Sequence, residues 1–236
     1  MRDASDAHGI SAAKELRWRE MAVIDAAYAE GRIAREAWHE AVLELIESAY
    51  LGTDDPRAQS GYCGDAAQWE TARRPLVRAL PSSRDRVLSF LDIGCANGHL
   101  METLAQWAAQ DGIRVEPHGV DISAALVDLA RKRCPQWAER IWVGNAYDWC
   151  PPQRFDVVRT GLEYVPERER PPFLAHLFEC VVAPSGRLVV GMFNEEADRD
   201  VRQRQVLELG YVVTGSLAEP HRHPAVHRKA FWIDAR

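Results

Sequence analysis

The feature that most constrains the fold is an apolar segment that ends in a glycine-containing turn. Residues 87–93 form an apolar run, the turn at residues 94–98 has the sequence Gly-Cys-Ala-Asn-Gly, and a helical pattern covers residues 98–110. This order predicts a buried strand, a tight turn and the N-terminus of a helix. Glycine has no Cβ, so the backbone can approach a ligand closely, and free N–H groups at the helix start can face a polar ligand group. We therefore interpret the turn as the floor of a cofactor site.

Strand and helix patterns alternate along the chain from this point. The predicted strands are residues 87–93, 113–121, 140–144, 155–160, 187–193, 211–217 and 228–234, and the predicted helices are residues 98–110, 123–133, 167–182 and 195–209. Such alternation is typical of an α/β fold, with a parallel sheet covered by helices on both faces. The two final strands have no helix between them, so we expect them to pair as an antiparallel hairpin at one edge.

The N-terminal part of the chain is predicted to be helical. Residues 11–30 and 33–51 carry apolar side chains at helical spacing and are separated by Gly31, which predicts an antiparallel helical pair. This pair either covers one side of the core or forms a lid over a substrate. We accordingly divide the chain into a helical extension at residues 1–60 and a second domain at residues 61–236. A loop and a helix capped by Asp65 precede the first strand, and Pro75 is expected to kink that helix or to start a new one.

Composition limits the possible classes of protein. The 236 residues suffice for one α/β domain with an appendage, and the net charge of −6 does not favour a polyanionic partner. Five scattered cysteines without a C-x-x-C pair are typical of reduced thiols, not of a disulfide framework or a zinc site. Residues 1–10 lack a signal-peptide core, and no apolar stretch approaches the roughly 20 residues that span a bilayer. We expect a soluble, cytoplasmic protein without a membrane partner, and its oligomeric state stays open.

Polar side chains follow four of the predicted strands. In an open α/β sheet, ligands bind beyond the carboxyl ends of the strands. Asp92 ends the first strand, and Asp121 ends the second, where one carboxylate can accept hydrogen bonds from both hydroxyls of a ribose. Asn145 follows the third strand and suits an adenine edge, and Arg159 lies at the end of the fourth, where a substrate would meet the cofactor. Each residue alone has an ordinary structural explanation, but their order along the chain favours a nucleotide-containing cofactor.

At this level the chain resembles the class I S-adenosylmethionine-dependent methyltransferases over roughly residues 60–236. The first motif of that family, an acid, one spacer and a glycine-rich turn, matches residues 92–98, with Ala96 in place of the usual middle glycine. The fourth-strand motif matches residues 155–160. The resemblance implies a doubly wound, seven-stranded, mostly parallel sheet of the Rossmann-like methyltransferase type, whose last strand runs antiparallel.

The resemblance also implies a set of cofactor-binding residues for S-adenosylmethionine. Asp121 takes the place of the ribose-binding acid, Ile122 flanks the adenine, and Asn145-Ala146 matches the adenine-contacting pair. Small bacterial members carry a Trp-x-x-x-Arg helix before the first motif, which matches Trp69 and Arg73, and Arg73 then pairs with the cofactor carboxylate or is simply a surface arginine. The complete expected set is Arg73, Asp92, Gly94, Cys95, Gly98, Asp121, Ile122, Asn145, Ala146, Arg159 and Thr160.

The implied reaction is in-line transfer of a methyl group from a sulfonium to a nitrogen or oxygen atom of a small-molecule substrate. Glu163 and Tyr164, just past the fourth strand, are the candidate catalytic residues, as bases or substrate contacts, although both could merely cap and pack. Histidines 221, 223 and 227 in the last loop are less favoured candidates. They lack an acid or cysteine at a known ligand spacing, so we predict no metal site there.

Three alternatives remain. A nicotinamide dinucleotide would require G-x-G-x-x-G, whereas this chain has Ala96 and His99 at two of those positions. A methyltransferase acting on RNA is disfavoured by the acidic charge and by the absence of an Asn-Pro-Pro-Tyr-type signature, where residues 160–163 stand instead. Five arginines could still form a basic patch, namely Arg168, Arg170, Arg199, Arg202 and Arg204. The third is a catalytically idle module that binds the cofactor or a protein partner.

Overall fold

The computed structural model of the protein describes residues 19–82 and 85–235. Its strands are β1 (Leu88–Ile93), β2 (Val115–Asp121), β3 (Ile141–Val143), β4 (Phe155–Thr160), β5 (Val182–Glu196), β6 (Gly215–Pro220) and β7 (Val226–Asp234). They form a seven-stranded sheet in the order β3-β2-β1-β4-β5-β7-β6. β7 is antiparallel to β5 and β6, and the other neighbouring pairs are parallel. The predicted doubly wound, mostly parallel sheet with a final antiparallel hairpin is therefore confirmed.

Helices cover both faces of this sheet and precede it in the chain. They are α1 (described over residues 19–29), α2 (Arg35–Leu51), α3 (Ala66–Arg73), α4 (His99–Gln110), α5 (Ala124–Arg133), α6 (Arg170–His176) and α7 (Val201–Glu208). The beginning of the predicted helix 11–30 lies outside the described residues. Two predicted helix starts are confirmed: Asp65 caps α3 in a reciprocal capping box with Gln68, and Ser123 caps α5.

The N-terminal helices α1 and α2 pack against each other. Tyr28, Trp38 and Val42 form a small buried cluster between them, and the Trp38 Nε1 donates to Asp25 Oδ1 at 2.9 Å. Gly31, with φ of +72°, allows the tight connection that the sequence predicts between the two helices. The predicted helical pair is thus present in the described residues, with an apolar contact of its own.

Several predicted boundaries are shifted, and local chemistry explains the shifts. The predicted helix 167–182 splits into a 3₁₀ turn (Glu167–Glu169), α6 with prolines in its first turn, and a π-helical turn (Leu177–Val181), because proline lacks the N–H that would continue a helix from the previous turn. Pro75 similarly separates α3 from a 3₁₀ segment, Arg74–Ala79. β6 begins at Gly215, four residues later than predicted, because its pairing with β7 starts there.

The sheet topology determines where a ligand can bind. From β1 the chain builds β2 and β3 on one side and then returns to place β4 on the other side, so the strand order reverses between β1 and β4. Apolar clusters fill both faces of the sheet, one around Phe155, Phe173 and Phe231, the other around Leu88, Leu104 and Trp107. A crevice at the carboxyl ends of β1 and β4 is the expected ligand site of such a sheet.

Candidate functional site

A cavity of about 1320 Å³ opens at this switch point. The ends of β1, β2 and β4 form its floor, and α1 and α2, which we call the roof, close it from the other side with Tyr28, Trp38, Val42, Leu45 and Ile46 among their lining residues. Most of the predicted site residues line this cavity: Arg73, Asp92, Gly94, Cys95, Asp121, Ile122, Asn145, Ala146, Arg159, Glu163 and Tyr164. Residues that lie far apart in the sequence are therefore brought to one place.

Two predicted cofactor residues, Gly98 and Thr160, are placed differently, because neither lines the cavity. Gly98 has φ of +76°, and a Cβ there would lie 3.3 Å from Ala130 Cβ, so the glycine lets the turn pack closely on α5. Thr160 is fully buried, and its Oγ1 donates to the Gly161 carbonyl at 3.2 Å. Their positions suit support of the turn and of the end of β4.

Asp121 connects the end of β2 to the glycine turn. Its Oδ2 accepts the Ala96 N–H at 2.8 Å, and its Oδ1 accepts the Ser123 N–H at 2.9 Å. Burial raises the pKa of Asp121, although these backbone N–H groups oppose the shift. Ala96 takes a left-handed φ of +47° at the position where the family motif usually has glycine. A carboxylate oxygen accepts more than one hydrogen bond, so both oxygens of Asp121 keep acceptor capacity for a ligand in the cavity.

Asp92 and Arg159 form a buried ion pair at the switch point, because they are register partners on β1 and β4. The Arg159 Nη1 donates to Asp92 Oδ1 at 3.1 Å and to the Tyr164 hydroxyl at 3.0 Å. Asp92 Oδ2 is buried and accepts no hydrogen bond from the described residues. Burial raises the pKa of Asp92 to about 6, against the opposing charge of Arg159. A buried acceptor without a donor is uncommon and indicates a ligand group.

Arg73, at the end of α3, brings a second guanidinium to the cavity. It lies over the rings of Tyr62 and Trp69, at 5.3 and 5.4 Å from their centroids. Burial, followed by repulsion from Arg159, lowers the pKa of Arg73 to about 10. No carboxylate pairs with it in residues 19–82 and 85–235, whereas the adjacent Arg74 pairs with Glu70 and Asp111. A half-buried cation without a counter-ion favours an anionic ligand.

The segment after β3 supplies another wall of the cavity. Asn145 begins a turn in which its Oδ1 accepts the Tyr147 N–H at 3.0 Å and its carbonyl accepts the Trp149 N–H at 2.8 Å. Ala146 packs against the main core, and Ile122 lines the cavity from the segment after β2. These three residues give this wall an apolar surface interrupted by one amide.

The two candidate catalytic residues differ in their surroundings. Tyr164 covers Gly94, since a Cβ at position 94 would lie 2.6 Å from its ring, and burial raises the pKa of its hydroxyl. The Tyr164 hydroxyl accepts from Arg159, which leaves its own proton available to a ligand. Glu163 lines the cavity from an exposed position, and its carboxyl group lies over Gly161.

His39 is a cavity residue that the sequence analysis missed. It lies on α2 in the roof, it is 7% exposed, and its Nε2 is buried without a hydrogen-bond partner among the described residues. Burial lowers the pKa of His39, against the opposing effect of backbone contacts with Arg35 and Tyr164, and so favours the neutral imidazole. The sequence does contain one signal for this role, because His39 is a polar residue within the apolar stripe of the predicted helix 33–51.

Asn97 and Glu47 were also missed, and both connect the site to the N-terminal segment. The Asn97 amide, fully buried in the glycine turn, donates to the Pro56 carbonyl and to Gln59 and accepts from Ser60 at 2.6 Å. Glu47, on α2, accepts from the Ser123 hydroxyl at 2.5 Å, directly beside Asp121. These partners depend on tertiary placement and have no local sequence signal.

The histidines of the last loop lie away from the cavity. Two of them accept backbone N–H groups within the β6–β7 turn, at His221 Nδ1 and His223 Nδ1.

Within the described ranges, none of the helices combines the length and the apolar character that crossing a membrane requires.

A comparison with known protein families agrees with this geometry. Residues 90–186 match the family model described as a methyltransferase domain, which covers the segment from β1 to the beginning of β5. Over this segment the chain is similar to methyltransferase domains, in agreement with the resemblance that the sequence motifs indicate. Among curated protein sequences, the chain has no significant match.

Solved structures of this methyltransferase fold are similar in architecture and distant in sequence. The 1,6-didemethyltoxoflavin-N1-methyltransferase of Burkholderia thailandensis, solved with 1,6-didemethyltoxoflavin and S-adenosylhomocysteine, is 16% identical over 86% of this chain and 91% of its own, with a TM-score of 0.63. Magnesium protoporphyrin IX methyltransferase from Synechocystis, solved with S-adenosylmethionine, is 16% identical over 84% and 97%, with a TM-score of 0.56. The N-methyltransferase NodS of Bradyrhizobium japonicum is 17% identical over 73% and 99%, with a TM-score of 0.54. At these identities the likeness establishes the fold.

Proposed function

We propose that this methyltransferase uses S-adenosylmethionine to methylate a nitrogen or oxygen atom of a small molecule. One observation carries the proposal: two charged groups with unmet partners, the half-buried Arg73 and the buried Asp92 Oδ2, line the same cavity as Asp121. An amino-acid zwitterion joined to a ribose supplies the matching groups, namely a carboxylate, an ammonium and vicinal hydroxyls.

Each part of the cofactor has a candidate partner. Arg73 would hold the carboxylate, Asp92 the ammonium, and Asp121 the ribose hydroxyls. Ile122, Asn145 and Ala146 would flank the adenine, while backbone at Gly94 and Cys95 lies under the sulfonium end. Arg159 neutralises one oxygen of Asp92 and so fixes the other oxygen toward the cavity. We assign Gly98 and Thr160 to positioning these groups rather than to direct contact.

When bound, S-adenosylmethionine supplies a methyl group on a positively charged sulfur. The chain's own contribution is then alignment and exclusion of water, for which the roof is suited because its cavity face is largely apolar. We therefore propose that residues 1–60 act as the lid and residues 61–236 as the methyltransferase domain. The roof is tied to the domain by the Glu47–Ser123 hydrogen bond and by the Tyr28 hydroxyl, which donates to Glu169.

The acceptor substrate would lie between the roof and the segment after β4. We propose Glu163 as a base or cation contact, and Tyr164 as a hydrogen-bond donor that orients the acceptor, since its raised pKa keeps it protonated. His39 faces the same space from above and is a second candidate base.

A small-molecule acceptor is favoured over nucleic acid by the charges around the cavity. Three of the five arginines that could form a basic patch pair with acids: Arg168 with Glu169, Arg170 with Glu167, and Arg199 with Glu196. The five cysteines are free, which supports a reducing compartment such as the cytoplasm as the location.

The decisive experiment combines binding with turnover. S-adenosylmethionine or S-adenosylhomocysteine should raise the melting temperature of the wild type, whereas NAD should not. Asp121→Ala should weaken binding about 10- to 100-fold, the range expected for loss of charge-assisted hydrogen bonds. Asp128→Ala, an exposed acid of α5, is the matched control and should bind normally.

Turnover separates an enzyme from an idle module. Labelled methyl from S-adenosylmethionine should appear in the low-molecular-mass fraction of a cell extract. Label confined to RNA or protein would contradict the small-molecule acceptor, and cofactor binding without any labelled product would favour the idle module.

A further inference from the structure

A cluster of metal-ligand side chains lies outside the cavity, at the far end of α6. Cys150, His176 and Cys180 each place one ligand atom within 4.8 Å of the other two. Cys150 comes from the loop between β3 and β4, His176 ends α6, and Cys180 follows in the π-helical turn. None of the three lines the cofactor cavity. The site already described therefore gives no reason for their convergence.

The three side chains form a coherent set of soft ligands. Two thiolates and an imidazole are the donors that Zn²⁺ selects, at tetrahedral sites in which water can take the fourth position. His176 and Cys180 are four residues apart on one continuous helical segment, a spacing that places side chains on the same face. These residues need no large rearrangement to meet one ion.

The histidine also has the supporting contact that metal sites use. The His176 Nε2 lies 3.0 Å from the Trp149 carbonyl, which can only accept, so Nε2 carries the proton and Nδ1 the lone pair. Ligating histidines commonly donate their other ring N–H to a backbone carbonyl, which fixes the orientation of the ring. The residue next to Cys150 therefore orients the third ligand.

Although the cysteine spacing in the sequence predicts no zinc site, we propose that Cys150, His176 and Cys180 form a structural site for a soft divalent cation, with Zn²⁺ as the physiological candidate. Binding converts both thiols to thiolates with release of two protons, while the imidazole binds in its neutral form. No redox change accompanies this step. Water completes the four-coordinate shell.

The position of the site gives the cation a specific task. The loop that carries Cys150 begins at Asn145 and Ala146, which line the cofactor cavity, and α6 follows the segment of Glu167 and Arg168, which also lines it. A cation at this site would join the two segments behind the cavity. Metal binding should therefore stabilise the fold and hold the wall assigned to the adenine.

Metal binding can be measured without activity. The protein is reduced, stripped with a chelator, and titrated with Zn²⁺ and with Co²⁺, whose thiolate charge-transfer absorption reports sulfur ligation. One equivalent should bind with a Kd of about 1 μM or below, and the melting temperature should rise. Cys150→Ser and Cys180→Ser should each weaken binding about 100-fold or more, and His176→Ala about 10-fold or more.

Matched controls come from elsewhere in the chain. Cys63→Ser and His223→Ala remove an exposed cysteine and an exposed histidine outside the cluster, and both should retain one equivalent of metal and the Co²⁺ spectrum. Absence of binding by the reduced wild type, or equal binding by the Cys150 and Cys180 variants, overturns the proposal. So does a Cys150–Cys180 disulfide that forms in air while the reduced protein binds no metal. Cofactor binding is measured separately, so failure here leaves the methyltransferase assignment intact.

Discussion

Arg73 is a half-buried cation of the cavity, and no carboxylate of the described chain offsets the desolvation of its charge. Arg73→Met should therefore lower S-adenosylhomocysteine affinity about 10- to 100-fold, the effect of losing a charge-assisted hydrogen bond. The same variant should keep or raise the free energy of unfolding without ligand, because a desolvated charge is removed. Titration calorimetry and urea denaturation measure the two effects.

The adjacent Arg74 provides the control, since it pairs with Glu70 at 3.0 Å and with Asp111 at 3.2 Å. The Arg74→Met variant should have a free energy of unfolding less than about 1 kcal/mol below that of the wild type, and it should bind S-adenosylhomocysteine with normal affinity. Equal affinities for the two variants would show that Arg73 contacts no ligand anion.

The raised pKa of Asp92 predicts how the stability of the protein depends on pH. Its pKa in the folded protein is about 6, whereas an unfolded aspartate titrates near 3.9. Between these values the folded state binds more protons, so the contribution of Asp92 to stability is present below about pH 4 and is lost as pH rises through 6. The free energy of unfolding of Asp92→Asn relative to wild type should therefore increase from pH 4 to pH 7, by up to about 3 kcal/mol.

Urea denaturation of both proteins at several pH values gives this difference in the free energy of unfolding. The titrations of other groups affect both proteins alike and so largely cancel in the difference. Asp128→Asn, an exposed acid, should give a difference that hardly changes with pH. Parallel curves for Asp92→Asn and wild type would mean that the buried carboxyl titrates normally.

At the scale of elements, one side chain holds the loop before α3 on the glycine turn. Asn97 bonds Pro56, Gln59 and Ser60, so Asn97→Ala leaves several buried polar groups without partners. We expect a loss of about 2–3 kcal/mol in the free energy of unfolding and faster proteolysis within residues 52–64. Thr71→Ala, which removes an exposed hydroxyl from α3, should change neither quantity, and a similar cleavage rate in both variants would contradict the anchoring role of Asn97.

The elements also show what the sequence could predict. Strand–helix alternation and the two strand-end acids are local patterns, so the sheet and the positions of Asp92 and Asp121 were predictable. Contacts across the cavity are not local. His39 meets the site only because α2 folds over the sheet, and Cys150 meets Cys180 only after a strand and a helix have been placed between them. The boundary errors around α6 and β6 have two different causes. Prolines in the first turn of α6 interrupt the predicted helix locally, whereas pairing with β7 decides where β6 begins.

At the scale of the whole molecule, the roof has its own small core, separate from the two clusters that fill the faces of the sheet. Trp38, 1% exposed, fills the α1–α2 cluster, whereas Leu104, also 1% exposed, belongs to the core under the sheet. Trp38→Ala should therefore lower hydrogen-exchange protection in residues 35–51 by about 3–5 kcal/mol and leave β1, β4 and β5 protected. Leu104→Ala should instead lower the protection of the sheet by about 2–5 kcal/mol.

The same experiment tests whether the roof acts as a lid. If the roof closes over bound cofactor, S-adenosylhomocysteine should restore protection to residues 35–51 of Trp38→Ala by a larger factor than it changes protection in the sheet, because the ligand binds only the closed form tightly. Protection lost evenly across roof and sheet would mean that the chain opens as one cooperative unit. If protection is lost only in the roof and S-adenosylhomocysteine does not restore it, the two helices merely cover the core. The exclusion of water would then depend on the loop that Asn97 holds.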